Sequence, residues 1–305
     1  MILRQMNSAA PVVLFAYARP QHLAHTLESL RADEVPLIYA FSDGPRTPDK
    51  AGDVAEVRRM LREISWAEVI LCERQENFGL GKSILTGVSA VLAEQDSIIV
   101  FEDDLICVPG TYRYLCAALD HYASEPSVMS VTGWTHPRVI PASVGNKPYF
   151  DGRAECLVWG TWARSWQGME QNAMTLVRQC KANGIDIHRY GADLIGMAEV
   201  ELQQNIWAVR WLYLHILSGG LCFRPPHSLV EHIGFDKLAT NASDGSEWSN
   251  PPLKPCPPLP DQWPVPQENP ECARLWRAAY GAKPRPWLLK KARSVASKIK
   301  RKMFS

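Results

Sequence analysis

The chain has 305 residues, 46% of them hydrophobic, enough for one large domain or two modest ones around a sizeable core. Lys and Arg number 33 against 32 Asp and Glu, yet residues 283–305 hold nine bases and no acid, so the rest has 24 bases and 32 acids, about −8, which argues against nucleic-acid binding. Eight scattered cysteines form no Cys-x-x-Cys pair, Met1–Ala10 has no signal-peptide core, and the longest apolar runs are strand-sized, so a zinc site and a spanning helix are excluded and a reducing, cytoplasmic location is expected.

The first 135 residues alternate between short apolar strands and amphipathic helices. The pattern predicts strands at Pro11–Phe15, Leu37–Phe41, Val69–Cys72, Ile98–Phe101 and Val128–Val131. Between them it predicts helices at His22–Leu30, Ala51–Ile64, Lys82–Ala93 and Tyr112–Tyr122. Such alternation implies an α/β fold with a mostly parallel sheet covered on both faces. The second half is less regular and rich in tryptophan. A helix is expected from about Ala198 to Leu217, stopping at Gly219-Gly220. Residues 251–270 hold nine prolines and read as an extended wrap. In the basic tail, Leu288, Ala292, Val295, Ile299 and Met303 fall on one helical face among lysines, a pattern suited to an anionic membrane surface. The expected organisation is a domain over 1–270, with a donor half to about 135 and an acceptor half over about 136–250, followed by a basic amphipathic tail over 271–305.

Polar residues follow each early strand: Arg19, then Ser42-Asp43-Gly44, then Glu76-Asn77, then Glu102-Asp103-Asp104. Ligands of open α/β sheets bind outside the carboxyl ends of the strands, so these residues mark a candidate site. Three adjacent carboxylates repel one another, and desolvation adds to that cost. A hard divalent cation, Mn²⁺ or Mg²⁺, would offset the repulsion and could also hold a diphosphate leaving group. GLGKS at 79–83 is not a phosphate loop, because Glu76 stands where a P-loop needs glycine and Ile84 where a dinucleotide fingerprint needs one. Lys82 could still reach a phosphate. Asp43 could bond a ribose hydroxyl or a base, or simply close an Asx turn. The tryptophans suit a core, although one at a site rim would stack on a sugar.

These blocks, in order, resemble GT-A fold glycosyltransferases. The run Tyr17-Ala18-Arg19-Pro20 after the first strand, then SDGP, ENFGLGKS, FEDDL, VWGTWARSW, IWAVRW and SLVEHIGFD, are similar to N-acetylglucosaminyltransferase I-like enzymes and their bacterial polysaccharide relatives. The likeness runs from about Pro11 to Asp236. It implies an inverting, metal-dependent transfer of a hexose or N-acetylhexosamine from a nucleotide-sugar donor to a hydroxyl. Carried over, Asp104 is the metal ligand, Asp103 approaches the ribose and Glu102 shapes the motif. Arg19 and Asp43 contact the nucleotide, Asn77, Gly79 and Lys82 line the donor side, and Tyr17 and Trp159 are further substrate-binding residues. Arg210 faces the diphosphate. Two departures stand out. Relatives carry an acid just before the tryptophan matching Trp207, where this chain has Asn205 and Ile206, so the general base would be Glu201, Glu199 or Asp151. Relatives also carry a late histidine ligand where this chain reads LATNAS with Asn241, and His232 would substitute. With the basic tail, the resemblance implies a glycan or lipid-linked acceptor in surface polysaccharide or glycolipid assembly, peripherally bound at the inner face of the membrane. Two alternatives stay open: a nucleotidyltransferase, although Ala16–Pro20 lacks its glycine-rich loop, and a degenerate relative that binds nucleotide-sugar or glycan without turnover.

Overall fold

The computed structural model describes residues 9–234 and 252–281. The basic stretch 283–305, Asp236 and Asn241 lie outside the described residues. In chain order the elements are β1 (Val12–Ala16), α1 (Pro20–Ala32), β2 (Leu37–Ser42), α2 (Ala51–Arg62), β3 (Glu68–Glu73), α3 (Leu80–Leu92), β4 (Ser97–Glu102), β5 (Leu105–Cys107), α4 (Thr111–His121) and β6 (Val128–Thr132). The second half adds β7 (Tyr149–Asp151), β8 (Trp159–Trp162), α5 (Ala173–Ala182), α6 (Asp193–Gln204), α7 (Ala208–Ser218), β9 (Leu221–Arg224), β10 (Val230–His232) and α8 (Cys272–Ala279). The early elements fall where the alternation predicts them.

Eight strands form one mixed sheet in the order β3-β2-β1-β4-β8-β6-β9-β7. All but β7 and β8 run the same way, so the fold is α/β with a mostly parallel sheet flanked by helices. Strands β1, β4 and β6 are buried at nearly every position, as expected for strands covered on both faces. Two apolar clusters lie among the packed elements, one including Val13, Val88 and Trp211, the other Leu14, Leu23 and Leu115. Val13 and Leu14 fall into different clusters because neighbouring strand residues face opposite sides.

The sequence pattern does not anticipate β8, which inserts antiparallel between β4 and β6 with Val100 opposite Trp159 and Thr132 opposite the same residue. Nor does the expected helix over 198–217 run unbroken. Asn205 takes a left-handed conformation (φ 56°) and ends α6, and α7 restarts at Ala208. Asparagine tolerates this conformation at a helix C-terminus better than most residues. The end of α7 is as expected, with Gly219 left-handed (φ 62°). The proline-rich stretch is extended and crosses α4: Trp263 stacks on His121 with centroids 4.8 Å apart, and Tyr122 donates to the Pro264 carbonyl at 2.7 Å. Within the segment expected to form the tail, α8 packs on the body through buried Cys272 and Trp276. No helix among the described residues is long and apolar enough to cross a membrane.

One buried imidazole joins α7 to the sheet. His215 shares its Nδ1 proton with the Trp211 carbonyl (3.0 Å) and its Nε2 with the Ser130 hydroxyl on β6 (2.9 Å), which fits the neutral tautomer. Burial lowers its pKa to about 3. An unfolded histidine titrates near 6.5, so as the pH falls through that value the unfolded chain takes up a proton the folded one refuses. The resulting stability is present above about pH 6.5 and is lost progressively toward pH 3. The melting temperature should therefore fall more steeply between pH 7 and 5 for the wild-type chain than for His215→Gln, which cannot titrate. Parallel slopes in thermal melts would refute this account.

Candidate functional site

The order β3-β2-β1-β4 reverses direction at β1, and the crevice between the carboxyl ends of β1 and β4 is the usual ligand position of such sheets. The Tyr17–Arg19 loop leaves β1 at this crevice, and Glu102-Asp103-Asp104 leave β4. They bind each other. The Tyr17 N–H donates to Asp103 Oδ2 at 2.9 Å, and the Thr26 hydroxyl of α1 donates to the Asp103 carbonyl at 2.9 Å. Arg19 sets its Nη1 2.9 Å from Asp104 Oδ2 and its Nε 3.8 Å from Asp103 Oδ1.

A second ribbon completes the site. Strands β5 and β10 pair antiparallel with His232 opposite Leu105, and the Ile233 N–H donates to the Asp104 carbonyl at 2.9 Å. This pairing carries His232 Nε2 to 3.5 Å from Asp104 Oδ2. The two sequence-predicted metal ligands thus come together. Gly234 lies so close that a Cβ there would stand 2.1 Å from Asp104 Oδ2 and 2.9 Å from Arg19 Nη1, so only glycine fits without moving the ion pair.

The electrostatics follow from burial. Glu102 is pushed up to about 8, chiefly by desolvation and then by the charges of Asp104 and Asp103, with Arg19 opposing. Asp103 is pushed up to about 7 by desolvation and Asp104, against Arg19 and the Tyr17 N–H. Burial lowers the His232 pKa, which favours the neutral imidazole that can ligate, while Asp104 opposes the shift. Among the described residues, Asp104 Oδ1 is buried with no hydrogen-bond partner. An orphaned carboxylate oxygen beside a neutral imidazole fits a hard divalent cation that takes its remaining ligands from water and phosphate oxygens. Among the described residues no three His, Cys, Asp or Glu side chains converge as a cage, so the protein supplies the set only in part.

The other candidates divide sharply. Asp43 accepts from Arg74 Nη1 (2.9 Å), the Phe78 and Gly79 N–H groups (2.9 Å each) and the Ser83 hydroxyl (3.3 Å). Its oxygens are therefore bound by protein donors, and its work is to hold the 74–83 loop at the crevice. Asn77 donates to the Gly44 carbonyl at 3.0 Å, zipping the same loops together. Gly79, left-handed at φ 72°, starts α3, and Lys82 lies exposed with its ammonium 4.1 Å from the Phe78 ring centroid. Tyr17 accepts from the Arg46 N–H at 2.7 Å.

Glu201 and Asp151 do not stand as available bases. Glu201 is buried, accepting from the Ala173 N–H at the start of α5 (2.9 Å) and from Arg210 Nε. Asp151, on edge strand β7, accepts from the Arg153 N–H (3.0 Å) and Trp276 Nε1 (2.8 Å) and pairs with Arg224 at 3.0 Å. Glu199 is exposed on α6. Arg210 is held by Glu201 and the Met169 carbonyl at 3.2 Å. It lines a groove of about 760 Å³ with Leu85, Ser89, Trp166 and Met169, which no residue of the acidic triplet lines. Trp159 is fully buried, its ring 5.3 to 5.6 Å from those of Trp166, Trp207 and Trp211, so it is core and not a sugar platform. Sequence reasoning passes over Arg74, whose only signal is its place at the end of the third strand. It also passes over Gly234, which lies inside SLVEHIGFD with no assigned role.

Arg74 and Asp43 form a buried pair, so removing one partner strands the other's charge. Arg74→Met should cost about 3–5 kcal/mol in urea unfolding. A loss under about 1 kcal/mol would show that the pair behaves as a surface contact.

No protein-family model matches the sequence, and no curated protein matches it. Among solved structures, the chain is similar to a mannosyltransferase, PcManGT from Pyrobaculum calidifontis, in complex with GDP-Man and Mn²⁺: 15% identity over 53% of this chain and 47% of that one, TM-score 0.38. It is also similar to residues 1–349 of S. aureus TarS: 8% identity over 74% of this chain and 61% of that one, TM-score 0.42. The match thus spans about half of the first structure and about three fifths of the second.

Proposed function

We propose that the chain is an inverting, metal-dependent GT-A glycosyltransferase that moves a hexose or N-acetylhexosamine from a nucleotide-diphosphate donor to a hydroxyl. One observation carries the reading: at the strand-order switch point, buried Asp104 keeps one oxygen without a partner among the described residues, while His232 and Arg19 close on the other. The order of the sequence blocks from Tyr17 to His232 supports the same assignment.

In this reading Asp104 and His232 hold Mn²⁺ or Mg²⁺, which when bound offsets diphosphate charge and stabilises the leaving group. Tyr17, Asp103 and the loop fixed by Asp43 and Asn77 shape the nucleotide side, and the Asp103 carboxylate is the acceptor for a ribose hydroxyl. Gly79, whose missing Cβ makes room for the Asn205 side chain, starts α3 on the donor side, and Lys82 offers a cation there. The acceptor oxygen attacks the anomeric carbon from the face opposite the diphosphate, that carbon–oxygen bond breaks, and its electron pair leaves with the nucleoside diphosphate. The hydroxyl proton passes to Glu199, exposed on α6, or directly to water, because the oxygens of Glu201 and Asp151 are bound in ion pairs and hydrogen bonds. That same fact favours a second reading, a nucleotide-sugar binder without turnover. The basic residues of 283–305 would bring either protein to an anionic membrane and a lipid-linked acceptor, suiting polysaccharide or glycolipid assembly at its cytoplasmic face.

Calorimetry with uridine, guanosine and thymidine diphospho-sugars, with and without Mn²⁺, tests the donor site. Metal-dependent binding of one donor, abolished in Asp104→Asn, is the expected result. Failure of every donor to bind the folded protein would refute the site. Acceptor-dependent release of nucleotide then separates the enzyme from the binder.

A further inference from the structure

We infer that Arg19 is the resident counter-ion of Asp104 and competes with the divalent cation for it, so that metal entry requires the guanidinium to move. The inference rests on the metal-dependent reading above and adds the residue that opposes it.

The geometry sets two cations against one carboxylate. Arg19 Nη1 is 2.9 Å from Asp104 Oδ2, and His232 Nε2 is 3.5 Å from the same oxygen. An ion held by His232 and Asp104, through Oδ1 or through Oδ2, would therefore share its carboxylate with the guanidinium. Guanidinium does not lose its proton in proteins, so its charge cannot be switched off to admit a second cation. Nor is there slack to share the site. Asp104 is 3% exposed, and the space that a Cβ at Gly234 would fill touches both Asp104 and Arg19. Close like charges in so buried a place repel far more than in water.

Arg19 is the movable partner. It lies in the loop between β1 and α1, before Pro20, and its side chain is 22% exposed while that of Asp104 is 4% exposed. A guanidinium binds phosphate oxygens in bidentate fashion, so a diphosphate arriving at the same crevice offers it a second partner. The arginine thus holds the carboxylates together before donor and metal arrive. Once it swings onto the diphosphate, Asp104 opens and the two ligands favour each other's binding, as any coupling between sites must be reciprocal.

The test is Mn²⁺ alone, titrated against the full chain and followed by the loss of its free-ion electron paramagnetic resonance signal. Arg19→Met should bind Mn²⁺ at least roughly tenfold more tightly than wild type, which asks about 1.4 kcal/mol of the competing charge. Arg19→Lys should stay near wild type, and Asp104→Asn should lose the ion. Thermal melts give a second readout. Metal-free Arg19→Met should melt lower than wild type, and saturating Mn²⁺ should raise it by more. Arg19→Gln, which keeps donors without the charge, carries the same expectation if the methionine variant does not fold. Equal or weaker Mn²⁺ binding in the charge-removed variants would overturn the competition while leaving the cation site standing. Absence of Mn²⁺ binding in both wild type and those variants would overturn the cation site and the inference together.

Discussion

Three consecutive carboxylates at the end of a strand are tolerable in this fold because one guanidinium stands among them. Glu102, Asp103 and Asp104 cannot spread apart, since β4 is fixed between β1 and β8 and the next residues enter the β5–β10 ribbon. Their mutual repulsion and desolvation show in the raised pKa of Glu102 and Asp103. Arg19 opposes both shifts, and the Tyr17 N–H adds a donor from the same loop. The contact also joins the strands that meet at the switch point, so the electrostatics of the triplet and the topology of the sheet become one constraint.

The surrounding loops are rigid for a related reason. Asp43 gathers two backbone N–H groups, a hydroxyl and the Arg74 guanidinium, so the connection from β3 to α3 is tied to the end of β2. A Cβ at Gly44 would meet the Gln75 carbonyl oxygen at 2.2 Å, so the two loops touch backbone to backbone. The crevice thus has one wall tied by backbone hydrogen bonds and another that ends in a partly exposed arginine. A polar ligand entering there meets a preorganised side, which limits the ordering cost of binding to few side chains.

Much of this frame was legible in the sequence because its signals are local. Short apolar strands alternating with amphipathic helices announce a parallel sheet, and the polar residues after each strand mark its ligand edge. What could not be read depends on contacts between distant segments. Strand β8 is a tryptophan run buried on both faces, with no alternation to betray it. The break at Asn205 turns on a single left-handed residue inside an otherwise helical pattern. The partners of Glu201 and Asp151 lie in Arg210 and Arg224, and nothing in the spacing of an acid says which base it will meet. Asp104 and His232 stand 128 positions apart and are brought together by the β5–β10 register.

Those pairings supply the criterion that separates acids of the frame from acids of the site. A buried carboxylate costs free energy unless its lone pairs are used. Asp43, Asp151 and Glu201 each have both oxygens bound by donors within the protein, and each ties together segments far apart in the chain. They are complete without a ligand. Asp104 is as deeply buried, yet among the described residues its Oδ1 has no partner and its Oδ2 is shared between a guanidinium and an imidazole. Its arrangement is incomplete in the direction that a small hard cation would complete. The distinction does not depend on where an acid falls in the sequence, which is why Glu201 and Asp151, offered as stand-in bases because Asn205 and Ile206 depart from the family, meet a structure in which both are occupied by the fold.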